Sequence, residues 1–245
     1  LRFVLYEGYT LKTLLEIEVM KLISIVGSPR GTKGYTGSLV KPVLEAAQNA
    51  GAETELFSLA DLSVNPCKGC TEVCHTTGIC RQKDDFAMIK NAMIEAEGII
   101  YASPNYNLNV SAQLKAFIDR GGLLLHCQQL RGKYAAIIVT SGGSDPEDVV
   151  KYLKSILTLY GFRIVGSIGA VEMQFKDAAE NEKLMKSAAD LGRRMVKAIQ
   201  DNEIFPEQVE DCNQSFEIMK YMVMMLKERW PFAWNYWNRR GEMEK

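Results

Sequence analysis

Histidine is the scarcest ionisable residue in this 245-residue chain, with only His75 and His126 present. With so few imidazoles and no GxSxG elbow, no Ser-His-Asp set can be assembled, which argues against hydrolysis. Positive charge is not in excess either: 29 Lys and Arg stand against 30 Asp and Glu, a formal charge of −1. A dedicated nucleic-acid binder needs a broad basic field, and none is expected here. No run reaches the ~18 uncharged apolar residues of a membrane span. The apolar stretches before Val19 are interrupted by Arg2, Glu7, Lys12, Glu16 and Glu18, and no small-residue cleavage site follows, so a secretion signal is not expected. Repeats and low-complexity segments are lacking too. With 47% hydrophobic and 24% charged residues, the composition is that of an ordinary globular chain, which excludes a disordered tail or a fibrous repeat.

Four of the six cysteines (Cys67, Cys70, Cys74 and Cys80) fall within fourteen residues. A disulfide-stapled secreted fold would be shorter and would spread its cysteines through the chain. The expectation is a cytoplasmic protein with one local thiol cluster.

From Lys21 onward, short β-rich runs alternate with helical periodicity. Leu22–Val26 reads as a strand buried on both faces and ended by Gly27. A helix follows over about 39–50, with Pro42 suited only to its first turn, so that regular helix is expected to begin close to it. Strands over 54–59, 98–102, 134–140 and 162–171 are separated by helices over 84–97, 110–125 and 149–160. A last stripe runs through Leu184, Ala188, Leu191, Met195 and Ile199. Five strands spaced this way imply βαβ units, a parallel sheet and right-handed crossovers, an α/β fold. Met20 directly precedes the first strand and is read as a natural start, leaving 1–19 as an extension. The main domain is 20–201, and 202–245 forms a C-terminal helical and aromatic extension. That extension holds a Met-rich helix and Trp230, Trp234 and Trp237, spaced to share one helix face. It is expected to pack on its own or a partner subunit, with a lid over the ligand entrance and a membrane-surface helix as lesser alternatives.

Ligands of open parallel sheets sit beyond the carboxyl ends of the strands, so the loops there carry the functional information. The first reads GSPRGTKGYTGS over 27–38. Its glycines, hydroxyls and Arg30, with a helix N-terminus following, have the composition of a phosphate cradle. The loop is neither GxxxxGK[ST] nor GxGxxG, although Asp61 after the second strand stands where a ribose-binding acid could. The third-strand loop, SPNYNLNVS over 103–111, offers amides and Tyr106 to a flat polar heteroaromatic. The fourth, TSGGS over 140–144, lets backbone approach a ligand. Asp84 and Asp85 read as helix-start residues, and His126 with Cys127 as packing residues.

Together, GSPRGTKGYTGS, ASPNYNLNVSAQLKAFIDR and VTSGGS resemble the NAD(P)H-dependent FMN reductase family, and the cysteine loop resembles its iron–sulfur flavoprotein branch. The resemblance spans roughly 20–200. It implies a flavodoxin-like three-layer sandwich of strand order 2-1-3-4-5, FMN as cofactor and NAD(P)H as co-substrate. By position it places Ser28, Arg30, Tyr35 and Thr36 on the phosphate. Pro104, Asn105, Tyr106, Asn107 and Leu108 fall along the isoalloxazine, with Ser141, Gly142 and Gly143 at its far edge. Asn107 stands where the family usually has an aromatic, and the phosphate loop is about two residues longer than usual.

The cysteine-rich loop, 65–82, has the spacing Cys67-x2-Cys70-x3-Cys74-x5-Cys80. Four thiolates this close suit one metal centre, where the resembling branch usually has x2, x2 and a longer gap. A [4Fe–4S] cluster, zinc (with His75 able to replace one thiol) and a metal-free loop are the three readings. The leading functional reading is an FMN-dependent oxidoreductase that takes hydride from NAD(P)H. It would pass electrons to a small-molecule or protein acceptor, through the cluster where one is present. A flavodoxin-like carrier without its own substrate and a redox- or metal-sensing module are the alternatives. A homodimer or homotetramer is expected, with neither nucleic acid nor membrane as partner.

Overall fold

The fold is taken from a computed structural model that describes residues 19–243. The extension assigned to 1–19 therefore lies, Val19 apart, outside the described residues. The elements run β1 Lys21–Val26, α1 Tyr35–Asn49, β2 Glu53–Ser58, α2 Thr71–Thr77, α3 Phe86–Glu95, β3 Gly98–Pro104, α4 Ala112–Arg120, α5 Gly122–His126, β4 Tyr134–Ser141, α6 Glu147–Leu159, β5 Arg163–Val171, α7 Glu172–Lys176, α8 Ala178–Gln200, α9 Pro206–Met225 and α10 Pro231–Arg239.

The five strands pair in the order β2-β1-β3-β4-β5, all parallel. The continuous apolar runs follow from burial on both faces. Along β1, Ile23 and Ile25 enter one core with Ile89 of α3, Leu114 of α4 and Leu153 of α6. Leu22 and Val26 enter the other with Val40 and Val43 of α1 and Leu191 and Met195 of α8. These are the two outer layers of the sandwich, and every carboxyl strand end opens on the same edge.

Two helices differ from their predicted form. α1 begins at Tyr35, so Pro42 lies inside it. The ring removes the hydrogen bond to the Ser38 carbonyl, but Ser38 and Lys41 are exposed, so water can reach that carbonyl. The helix predicted over 110–125 is two, α4 and α5, broken at Gly121. A Cβ there would stand 2.1 Å from the Tyr160 hydroxyl, which donates to the Ile118 carbonyl.

α8 ends at Gln200, and α9 and α10 fold back onto the same chain. Phe216, Met219, Val223, Trp230 and Trp237 bury themselves against Leu123 and Cys127 in a third apolar cluster. Trp237 donates from Nε1 to the His126 carbonyl at 2.9 Å and packs on Phe216. The extension thus covers α5 and the cysteine-loop helix α2, not the β3 and β4 loops.

Candidate functional site

The first loop leaves β1 through Gly27, makes a single 3-10 turn over Gly31–Lys33 and enters α1. Gly37 lets the helix sit directly on that turn, because a Cβ would stand 2.4 Å from Thr32 Cα. The first turn of α1 has no acidic residue and no side-chain cap, which leaves its amides and the positive end of its dipole for an anion. Ser28 is buried, and its Oγ accepts from the Arg30 amide at 3.2 Å.

The β3 loop is held to this one by Ser111. As N-cap of α4 it accepts from the Leu114 amide, and its hydroxyl donates to the Gly27 carbonyl. Asn105 ties β3 to β4: its amide donates to the Thr140 carbonyl at 2.6 Å, and Nδ2 donates to Ser144 Oγ at 3.1 Å. Asn105 Oδ1 is buried and accepts from nothing. Beyond it, Asn107 and Leu108 lie at φ 52° and 63° between paired Tyr106 and Asn109. This is a two-residue hairpin turn with both central residues left-handed, a geometry that favours Asn and Gly and that costs a leucine. Leu108 is held there with its side chain in solvent.

The three loops meet in one cavity of about 120 Å³, lined by Ser28, Arg30, Tyr35 and Thr36 on one side and Pro104–Tyr106, Ser141 and Gly142 on the other. Thr36 Oγ1 and Thr140 Oγ1 bridge its base at 2.6 Å, both buried. Asn107, Leu108 and Gly143 lie outside the lining. A Cβ added at Gly142 or Gly143 would meet nothing within 4 Å. The cavity opens toward a broader cleft with Arg30, Lys33 and Phe175 on its walls, where Tyr35 stacks on Phe175 at 4.5 Å. Gly34, Thr140 and Glu172 also line the cavity and are missing from the predicted set. Thr140 could have been found as the last residue of the β4 run. Glu172 could have been found by extending the carboxyl-end rule to the fifth strand. Lys176, bonded at 2.6 Å, and then Arg30 hold the Glu172 carboxyl below its usual range.

The cysteine loop is anchored at both ends by Asp84, which sits beside the start of α3 but is chiefly the partner of Arg120. Arg120 donates from Nη1 to Asp84 Oδ2 at 2.7 Å and to the Asn65 carbonyl at 2.9 Å. The Asn65 amide donates back to Asp84 at 2.9 Å. Between these anchors α2 carries Cys74 and His75. Cys67 and Cys70 are exposed, Cys74 and Cys80 half-buried, and the latter two line a 60 Å³ cavity with Phe86 and Arg120. Burial, then the neighbouring Cys70, Cys80 and Cys67, raise the Cys74 thiol. Arg120 Nε is buried without an acceptor of its own, and the Cys80 thiol is within reach of the guanidinium. The four thiols share one neighbourhood, yet among the described residues no three metal-ligating side chains converge on a point.

His126 faces His75 and not its neighbour Cys127. His75 Nε2 and His126 Nδ1 are 2.6 Å apart, and His75 Nδ1 lies 3.4 Å from Cys74 Sγ. Trp230 stacks on His75 at 4.2 Å, and Phe232 packs over Gly78, where a Cβ would clash at 2.3 Å. Burial, with His75 adding, pushes His126 down to about 4, so that ring is neutral at pH 7, and across the 2.6 Å contact one ring must donate to the other.

Comparison with known proteins agrees with this geometry. The family described as NADPH-dependent FMN reductase matches residues 20–176. An iron–sulfur flavoprotein of Archaeoglobus fulgidus is 30% identical over 226 residues, covering 91% of this chain and 99% of the relative. One from Methanocaldococcus jannaschii is 40% identical over 149 residues, covering 60% of this chain and 76% of the relative. Among solved structures, RosB with a bound intermediate aligns at a TM-score of 0.61 and 13% identity, over 81% of this chain and 87% of that one. The apo form of an NADH:FMN oxidoreductase aligns at 0.54 and 22%, over 78% and 94%. At these identities the structural likeness is one of fold. The match over most of the described sheet, and the near full-length relative, show that the chain belongs to the NADPH-dependent FMN reductase family, among the relatives named iron–sulfur flavoproteins.

Proposed function

We propose that the cavity between the α1 N-terminus and the β3 and β4 loops holds FMN, with its phosphate on Ser28, Arg30, Tyr35 and Thr36. Its ring would lie along Pro104–Leu108 and Ser141–Gly143. The observation that carries this reading is the Thr36–Thr140 bridge of 2.6 Å. It joins an uncapped helix N-terminus to the two loops that can receive a ring. The residues present suit the group: the cradle supplies hydroxyls, a guanidinium and helix amides for a dianion. Buried Asn105 Oδ1 lacks a donor and offers the acceptor that a ring N–H requires. When bound, FMN supplies a ring that accepts a hydride from NAD(P)H. The chain's own work is to bind, orient and exclude water.

The acceptor is proposed to be a small molecule or an electron-transfer protein, and the cysteine loop to assemble a [4Fe–4S] cluster on Cys67, Cys70, Cys74 and Cys80. The cluster reading is supported by the four thiols around α2, by the buried Arg120 guanidinium within reach of the Cys80 thiol and by the names of the relatives. As the thiols stand they do not converge, so the loop must close on its metal. Anaerobic purification with a visible spectrum and iron, sulfide and zinc assays tests both parts. Near-stoichiometric flavin with four irons supports the whole reading, and flavin without iron retains the reductase and removes the cluster. Protein that takes up no FMN overturns it. Cys70→Ser should lower iron content and leave FMN content intact.

A further inference from the structure

At the opposite end of the sheet, the amino ends of β4 and β5 and the start of α9 enclose a second cavity, of about 390 Å³. This falls in the range of about 300–1,000 Å³ common for small-molecule sites. β4 has eight residues, which at about 3.3 Å each puts the two cavities roughly 25 Å apart. Arg131, Arg163 and Arg240 line it, together with Ile204, Phe205 and Val209.

Two of the guanidiniums, those of Arg131 and Arg163, are held in place but not neutralised. Arg131 donates from Nη2 to Asn213 Oδ1 at 3.0 Å and lies 3.8 Å over the Phe216 ring. Arg163 donates from Nη1 to the Tyr134 hydroxyl and Asn202 Oδ1 at 2.8 and 2.7 Å. Among the described residues neither has a carboxylate within ion-pair distance. Among the described residues, Arg131 Nε and Nη1, and Arg163 Nε and Nη2, donate to no group. Arg240 is paired with Glu242 at 3.0 Å. On α9, Asp211 is an acid adjoining the cavity. It acts on the cavity thiol Cys212 alongside Arg131 and Arg163 but is not part of the lining. Two positioned, unpaired guanidiniums beside an apolar wall form a fork that matches a planar or tetrahedral oxyanion carrying a hydrocarbon arm.

We propose that this cavity is a binding site for a small amphipathic organic anion, with the anionic head on Arg131 and Arg163 and the hydrocarbon arm against Ile204, Phe205 and Val209. Carboxylates and phosphate monoesters share this chemistry. The cavity shares no lining residue with the FMN cavity or the cysteine-loop cavity, so this site and the FMN site stand or fall separately.

Calorimetric titration of the full chain, purified with its flavin, tests the site using hexanoate, hexyl phosphate, acetate and hexanamide as probes. Binding of hexanoate or hexyl phosphate at least about tenfold tighter than acetate and hexanamide is the expected result. Whichever of the two is tighter identifies the head group. Arg131→Gln should weaken that binding by about tenfold while leaving FMN content unchanged. Because Arg131 also packs on Phe216, Val209→Glu provides a second variant. It puts a carboxylate at the exposed wall without touching the guanidiniums, and should abolish binding. Equal binding of hexanamide, or binding that survives both substitutions, overturns the proposal, as does the failure of both anions to bind.

Discussion

Asp84 and Arg120, 36 positions apart, meet as a two-pronged ion pair with Nη1–Oδ2 at 2.7 Å and Nη2–Oδ1 at 3.0 Å, both side chains 2% exposed. Arg120 ends the α4 segment that carries the family resemblance, and Asp84 closes the cysteine loop. The pair therefore couples the scaffold of the flavin cavity to the loop that holds the thiols.

Breaking this pair from one side should destabilise the fold by about 3–5 kcal/mol, because the remaining charge stays buried. Arg120→Met is the variant, and urea unfolding at pH 7 is the measurement. The pH dependence has a definite sign. Arg120 holds the Asp84 carboxyl far below the ordinary carboxylate range. Its contribution is thus complete above the unfolded value of about 3.9 and is lost as the pH falls below that. Wild-type melting temperatures should drop more steeply between pH 4 and 2 than those of Asp84→Asn. Parallel curves would place the acid sensitivity elsewhere.

Gly142 tests the cavity without testing the fold. A Cβ there meets nothing within 4 Å, so Gly142→Val should leave the melting temperature nearly unchanged. If a flavin ring occupies the space, the same substitution should weaken FMN binding by about tenfold or more. Fluorescence titration of the apoprotein with FMN measures it. Unchanged affinity would move the ring away from the β4 loop.

Much of this site was readable because it lies where strand ends dictate. β1, β3 and β4 are continuous apolar runs, and buried runs separated by helices leave few sheet orders open. The interior position of Pro42 is not legible in the sequence, because tolerance there depends on which carbonyl faces water. The break at Gly121 depends on Tyr160, 39 positions further on. Asp84 read as a helix-start residue because its partner lies a whole βα unit away. Trp230 over His75 is equally non-local, since only tertiary packing brings the extension to α2.

Glu172 was legible in principle and bears on affinity. Its carboxylate shares the cavity lining with Arg30 and Thr36, so it opposes any anion that binds there while Lys176 and Arg30 offset it. Glu172→Gln should tighten FMN binding by about two- to fivefold at low ionic strength, with the gain shrinking as salt is added. Weaker binding instead would mean that the carboxylate accepts a hydrogen bond from the ligand.

The aromatic extension is best understood as the roof of the cysteine loop. Trp230 is 6% exposed and stacks on His75, itself 1% exposed, so removing the indole opens a cavity directly above the imidazole pair. Trp230→Ala should cost about 3–5 kcal/mol in unfolding free energy. The more diagnostic effect is local. α2 loses its cover, so Cys74 in metal-free protein should be alkylated by iodoacetamide several-fold faster, while FMN affinity stays the same. Peptide mapping by mass spectrometry reads the first and fluorescence titration the second. A uniform rise at Cys127 and Cys212 as well would indicate global loosening, whereas a rise confined to Cys74 makes the extension the element that controls access to the thiol loop.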